Sequence, residues 1–321
     1  MTTRDHVSIL EAAYVEAGDD ADWEERLLES LSTIDEGLGV VVGGFERLPD
    51  GHARRNTSFR GTSAPELLAR FEGMVDGMPP GDVSVCFSFV NSGKTGSSVG
   101  VGNFAAYDAI MRPLGAGDCL GVFGLVDWKT TYGVYVPLRE RRGETPGRSR
   151  RLQRLGAHLG AARRARSAHR DEAILEAGGR VAHLEGEAIA ERETLRDRVC
   201  AIDRARTAAG RADLEAALDA WTALCDGRWS LLDRFDSDGR RYVVARRNHP
   251  GLGRPLALSP REEQVVKLHA MGQSSKYVAY TLGLSPATVS AHLRTGMRKL
   301  GLASKADLVA LWTAVHPEWD A

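Results

Sequence analysis

Residues 256–317 carry the start and stop signals of four short helices, with too few residues between the second and third for anything but a tight turn. Ser259-Pro260-Arg261-Glu262 is a capping box with proline at the first helical position, and Gly272 stops the helix it opens. Val265, Val266 and Leu268 supply that helix's apolar face. Ser274 or Ser275 opens the second, with Val278, Ala279 and Leu282 facing inward and Gly283 stopping it. Ser285-Pro286 opens the third, where Val289, Leu293 and Leu300 recur at near-helical spacing before Gly301. Ser304-Lys305-Ala306-Asp307 starts a fourth that carries Leu308, Leu311 and Trp312. The only connection between helices two and three is Gly283-Leu284-Ser285, the turn a helix-turn-helix requires.

Charge agrees with that placement. The formal net charge is −1, but residues 255–313 hold Arg261, Lys267, Lys276, Arg294, Arg298, Lys299 and Lys305 against Glu262, Glu263 and Asp307. A basic end on an acidic remainder is what a duplex-binding module attached to another unit presents.

Several strings together resemble the LuxR/FixJ-type (GerE-like) DNA-binding domain. They are Leu258-Ser259-Pro260-Arg261-Glu262, Lys276-x-Val278-Ala279, Leu282-Gly283-Leu284-Ser285-x-x-Thr288-Val289-x-x-His292-Leu293 and Arg298-Lys299-Leu300-Gly301. The resemblance covers about a fifth of the chain and implies a sequence-specific transcription regulator, not an enzyme. It places the third helix in the major groove, where an α-helix fits and base edges are distinguishable. By position, Ser290, Ala291 and Arg294 face bases, with Arg294 the candidate for a guanine. Lys276, Thr288 and Lys299 lean on phosphates, and Arg298 belongs to the same DNA-binding set. The sequence departs from the family pattern at Gln264, Tyr277, Ser290 and Gly296. The glycine costs about 1 kcal/mol in the middle of a helix.

The first 165 residues read as a mixed α/β unit. Asp22 can cap a helix bearing Trp23, Leu27, Leu31 and Ile34, and residues 39–45 form a short buried-strand pattern. A helix from Ala64 to about Met78 comes next, then an amphipathic stretch over 103–111 and strands at 120–126 and 132–136. A basic helix with Leu152, Leu155 and Leu159 on one side closes the unit. This order resembles a GAF or PAS sensor domain at the level of fold alone.

Residues 166–250 read as a connector. Ile174, Val181, Ala188, Leu195 and Ile202 fall seven apart, which predicts a long charged helix, either a dimerising coiled coil or a packed amphipathic rod. Gly178, Gly179 and Gly186 interrupt the pattern. A helix over 214–225 precedes a β-hairpin formed by 228–232 and 241–245 around Asp236-Ser237-Asp238-Gly239. The Gly- and Pro-rich stretch 248–255 links to the DNA module.

Catalytic and cofactor signatures are absent. Gly93-Lys94-Thr95 lacks the glycine a phosphate loop needs at 88, where Ser88 stands. Cys86, Cys119, Cys200 and Cys225 form no C-x-x-C pair, so neither a zinc site nor a disulfide framework is expected. No apolar run reaches the roughly 18 residues of a membrane span and no signal peptide is legible, which predicts a cytoplasmic chain. The acid cluster of a phosphoacceptor receiver is missing as well. Asp127, Trp128 and Tyr132 line either a ligand cavity or an ordinary strand end, and the arginines at 148, 150, 151, 154, 163, 164 and 166 either touch DNA or form a solvated face. The expected partners are double-stranded DNA, a second copy of the chain, and a small-molecule signal or protein partner. In the alternative reading the front half is an interaction scaffold without a ligand.

Overall fold

A computed structural model describes residues 3–16, 18–35, 38–47, 53–77, 109–126, 130–140, 146–167, 171–225, 229–247, 260–299, 304–306 and 308–309. The front region opens with helices α1 (Thr3–Ala13) and α2 (Asp20–Leu31). Asp19, not Asp22, is the cap of α2. The Asp19 carboxylate accepts from the N–H groups of Ala21 (2.8 Å) and Asp22 (3.0 Å), and Asp22 reaches back to the Asp19 N–H (3.1 Å). Asp22 is therefore the third-position partner of the capping box, three residues later than a cap.

Five strands build the first sheet: β1 (Val41–Arg47), β2 (Ala53–Arg55), β3 (Arg60–Gly61), β4 (Asp118–Leu125) and β5 (Thr130–Leu138). They pair antiparallel in the order β2-β1-β5-β4, with β3 also on β1. Successive side chains alternate between faces. Val40, Val42, Val122, Val134 and Val136 therefore point to one core with Trp23, Leu27 and Leu31. Val41, Phe45, Phe123 and Tyr135 point to the other, where α3 (Pro65–Asp76) adds Leu67, Phe71 and Met74. That second face is packed with edge-on rings; Phe123 and Tyr135 centroids lie 4.5 Å apart and Phe71 and Tyr135 4.8 Å. Tyr132 is part of the filled core, its hydroxyl donating to the Glu24 carboxylate at 2.9 Å. Asp127, Trp128, Gly93, Lys94, Thr95 and most of the expected amphipathic stretch 103–111 lie outside the described residues.

Helix α4 (Pro146–Ser167) crosses the first sheet at backbone distance. A Cβ on Gly124 would collide with the Gly156 carbonyl, and one on Gly156 would come within 2.6 Å of the Phe123 carbonyl oxygen. Four arginines of this helix are engaged within the fold and do not form a solvated face, while the side chains of Arg148 and Arg150 lie outside the described residues. Arg154 pairs with Glu215 and Asp219, both at 3.1 Å. Arg163 pairs with Asp20 at 2.6 Å and lies over the Trp23 and Tyr132 rings. Arg164 donates to the Val126 carbonyl (3.1 Å), and Arg166 donates to the Gly18 (3.2 Å) and Asp19 (3.0 Å) carbonyls. Each guanidinium thus finds acceptors that are remote in sequence.

The chain from 165 to 207 is not one helix. Strands β6 (Ala173–Glu176) and β7 (Val181–Leu184) form a hairpin turning at Gly179, whose φ of +82° suits glycine. Only Leu195 and Ile202 of the seven-residue series share a helix, α5 (Arg192–Arg206); Ile174 and Val181 sit on strands, so no coiled coil exists there. After α6 (Ala208–Ala212) and α7 (Leu214–Cys225) come β8 (Trp229–Phe235) and β9 (Arg241–Arg247), the expected hairpin, with Trp229 opposite Arg247. The second sheet runs β7-β6-β9-β8, all antiparallel. Residues 14–16 extend it along β8 through Glu16 N–H to the Asp233 carbonyl (2.7 Å) and Asp233 N–H to the Tyr14 carbonyl (2.8 Å). One apolar core runs through α1, α2, α4, α5, α7 and both sheets.

The carboxy-terminal module consists of α8 (Pro260–Ala270), α9 (Ser275–Leu282) and α10 (Pro286–Lys299) around its own small core.

Candidate nucleic-acid interface

The module's core explains which residues it leaves outward. Val265, Val266 and Ala270 of α8, Val278 and Ala279 of α9, and Val289 and Leu293 of α10 pack together, joined by Leu308 from the next segment. Leu308 thus takes the inward place expected of the fourth helix; Leu311 and Trp312 lie outside the described residues, as does Ser259 of the first capping box. Ser274 caps α9 by accepting from the Tyr277 N–H at 3.2 Å. Gly283 ends that helix, and the Leu284 N–H returns to the Ala279 carbonyl at 2.9 Å, which sets the turn. Ser285 then caps α10 through the Thr288 N–H (3.1 Å). Both caps set α10 against α9, and among the described residues one side of α10 is exposed.

Most of the expected contacts are open to solvent. Lys276, Ser290, Ala291 and Arg294 are exposed, and Thr288 is half-buried. Arg298 and Lys299 close α10, their side chains outside the described set. Two hydroxyls are already engaged. Ser290 Oγ donates to the Pro286 carbonyl at 2.9 Å, and Thr288 Oγ1 bonds Ser285 Oγ at 2.8 Å as part of the cap. Ala287, which was not among the expected contacts, is exposed on the same side; the phase of buried Val289 and Leu293 is the signal that finds it. Gly296 is buried on the inward side of α10.

His269, at the end of α8, is buried with Nε2 3.4 Å from Ser275 Oγ. Burial, and then the charge of Lys305, lower its pKa below the usual imidazole value. The ring is neutral at physiological pH and acts as a packing group beside the start of α9.

In the front region, the cleft between α5, α7 and the second sheet has an internal volume of about 10 Å³, roughly the space of one water. Arg206 pairs with Asp233 there at 2.6 Å and stacks on Trp221 at 4.8 Å. Among the described residues no group of His, Cys, Asp and Glu is arranged to hold a metal, and no helix is long and apolar enough to cross a membrane.

Comparison with known proteins places the carboxy-terminal geometry. Residues 256–312 match the family model "Bacterial regulatory proteins, luxR family". The transcriptional regulatory protein FixJ of Azorhizobium caulinodans is 41% identical over 73 residues, 22% of this chain and 35% of that protein. The transcriptional regulatory protein UhpA of Escherichia coli K12 is 43% identical over 56 residues, 17% of this chain and 29% of that protein. The matched stretch therefore spans about a third of these curated relatives. A crystal structure of Escherichia coli SdiA aligns over 97% of this chain and 96% of its own, at 10% identity and a TM-score of 0.31. SdiA in complex with octanoyl-rac-glycerol gives 11% identity over 97% and 94% with a TM-score of 0.30. The caps, the turn and the family match meet on one stretch: residues 256–312 are a helix-turn-helix DNA-binding domain of the luxR family of bacterial regulatory proteins.

Proposed function

We propose that the whole chain is a cytoplasmic, sequence-specific transcription regulator of the one-component kind. Its DNA-binding end occupies 256–317, and a front region of GAF/PAS-like fold responds to a signal or partner. The observation that carries this reading is the luxR-family match over residues 256–312, whose reading helix α10 exposes Arg294 beside Ser290 and Ala291. Arg294 reads a base edge in the major groove, while Lys276, Thr288, Arg298 and Lys299 hold phosphates and fix register. A single module of three or four helices buries little surface, so tight binding takes a homodimer on an inverted repeat with half-sites about one helical turn apart. Footprinting the full chain across its own genome tests this. Protected inverted repeats support the reading, and a monomer protecting a lone half-site, or no protection at all, sinks it.

The filled aromatic face that the described residues give the first sheet favours a second reading of the front region, a protein-interaction scaffold without a small ligand. Thermal melts of the full chain with candidate metabolites against candidate protein partners separate the two, because only a bound species raises the melting temperature.

A further inference from the structure

The reading face of α10 has a composition that predicts which bases it selects, an inference that rests on the DNA-binding reading above. At about 100° per residue, buried Val289, Leu293 and Gly296 define an inward stripe. Ala287, Ala291 and Arg294 all fall within about 50° of the opposite side, and all three are exposed. Ser290 stands to one flank with its proton committed to the Pro286 carbonyl, so it offers a base only lone pairs. The centre of the described face therefore presents one charged hydrogen-bonding group and two methyl groups. In the major groove a guanidinium matches the O6 and N7 of guanine, and an alanine methyl matches the 5-methyl of thymine.

We infer that the half-site read by this helix contains a guanine selected by Arg294 and two thymines selected through their methyl groups by Ala287 and Ala291. The helix sets their spacing. Four residues advance about 6 Å and seven about 10 Å, against a base step of about 3.4 Å. The thymines lie one to two base steps apart, and the guanine lies within about three steps of the farther one. Specificity at two of the three positions is thus shape and apolar contact, and it distinguishes thymine from uracil.

The test starts from the full chain and a random-sequence duplex library, from which the bound fraction is re-amplified until one site dominates. That site is then synthesised with each thymine replaced in turn by deoxyuridine, which keeps the base pair and removes only the methyl. Losing one buried methyl contact weakens binding about fourfold. The expected result is this loss at two thymines within about four base pairs of the guanine whose preference Arg294→Ala relaxes. An Ala291→Gly chain, shown by circular dichroism to keep its helix content, loses the sensitivity at one of those two positions. Indifference of the enriched site to every thymine replacement overturns the inference while leaving the DNA-binding reading intact. Unchanged sensitivity in Ala291→Gly overturns the assignment to this helix. Failure of any site to enrich refutes sequence-specific DNA binding itself and the inference with it.

Discussion

Acidification should loosen the front region through one imidazole. His158 lies on α4, fully buried, with Nδ1 3.0 Å from the Tyr14 hydroxyl and the two rings edge-to-face. Burial, and then the positive charge of Arg154, hold its pKa down at about 3, against 6.5 for a free imidazole. The folded state therefore keeps the ring neutral while the unfolded chain takes up a proton as the pH falls through 6.5. The stabilising difference is fully present above that value and is lost as the pH drops toward 3. Each full pH unit in that window is worth about 1.4 kcal/mol, and because the unfolded imidazole is already half protonated at pH 6.5, going from there to pH 4.5 removes roughly 2 kcal/mol. For a unit of this size that is a drop of about 4–8 °C in melting temperature. Carboxylates titrate over the same range, so the comparison is with His158→Gln, whose amide oxygen can still accept from Tyr14 and which carries no titrating group. The variant melts lower than the parent at pH 7.5, but its stability falls less steeply, by roughly 2 kcal/mol between pH 6.5 and 4.5. Equal pH slopes for parent and variant, by calorimetry or circular dichroism, would refute the claim that this ring is buried neutral.

In the DNA-binding domain, Arg294→Ala should weaken the cognate site by about 1–3 kcal/mol and relax one base preference. Lys276→Ala should weaken all sequences alike and lower the salt slope by about one unit; salt titrations in which both variants act uniformly contradict the role assignment. Gly296→Ala should stabilise α10 by about 1 kcal/mol, read as increased exchange protection of its amides in the full chain, and a decrease would mean that a neighbour needs the space. Gly124→Ala should cost about 1–3 kcal/mol or more, because its Cβ meets the Gly156 backbone of α4 and not a side chain that can turn away; an unchanged melting temperature would show that the helix does not lie so close.

The carboxy-terminal domain was legible because its signals are local. Ser274, Gly283 and Ser285 act on N–H and C=O groups within four or five residues, and the inward residues recur at the helical period. Strands β4, β5, β8 and β9 were legible for the same reason, as alternating or apolar runs bounded by turn residues. The seven-residue series from Ile174 misled because the residues between its members decide the local structure, and their spacing is silent about them. The glycines at 178 and 179 turn the chain before a helix can form, and Ala173 and Leu175 instead find partners some seventy residues later on β9.

The sequence by itself determined that a helix-turn-helix stands near the carboxy-terminal end and that Arg294 belongs to its third helix, since caps, turn and period all act within one helix length. Tertiary structure alone decided that both sheets share one core and that four arginines of α4 hold the front region together from within. A guanidinium or hydroxyl satisfies whichever acceptor the fold brings near, and for Arg166 that acceptor is about 147 residues away in the chain. No local pattern encodes such a pairing; only the packing of the helices on the sheets creates it.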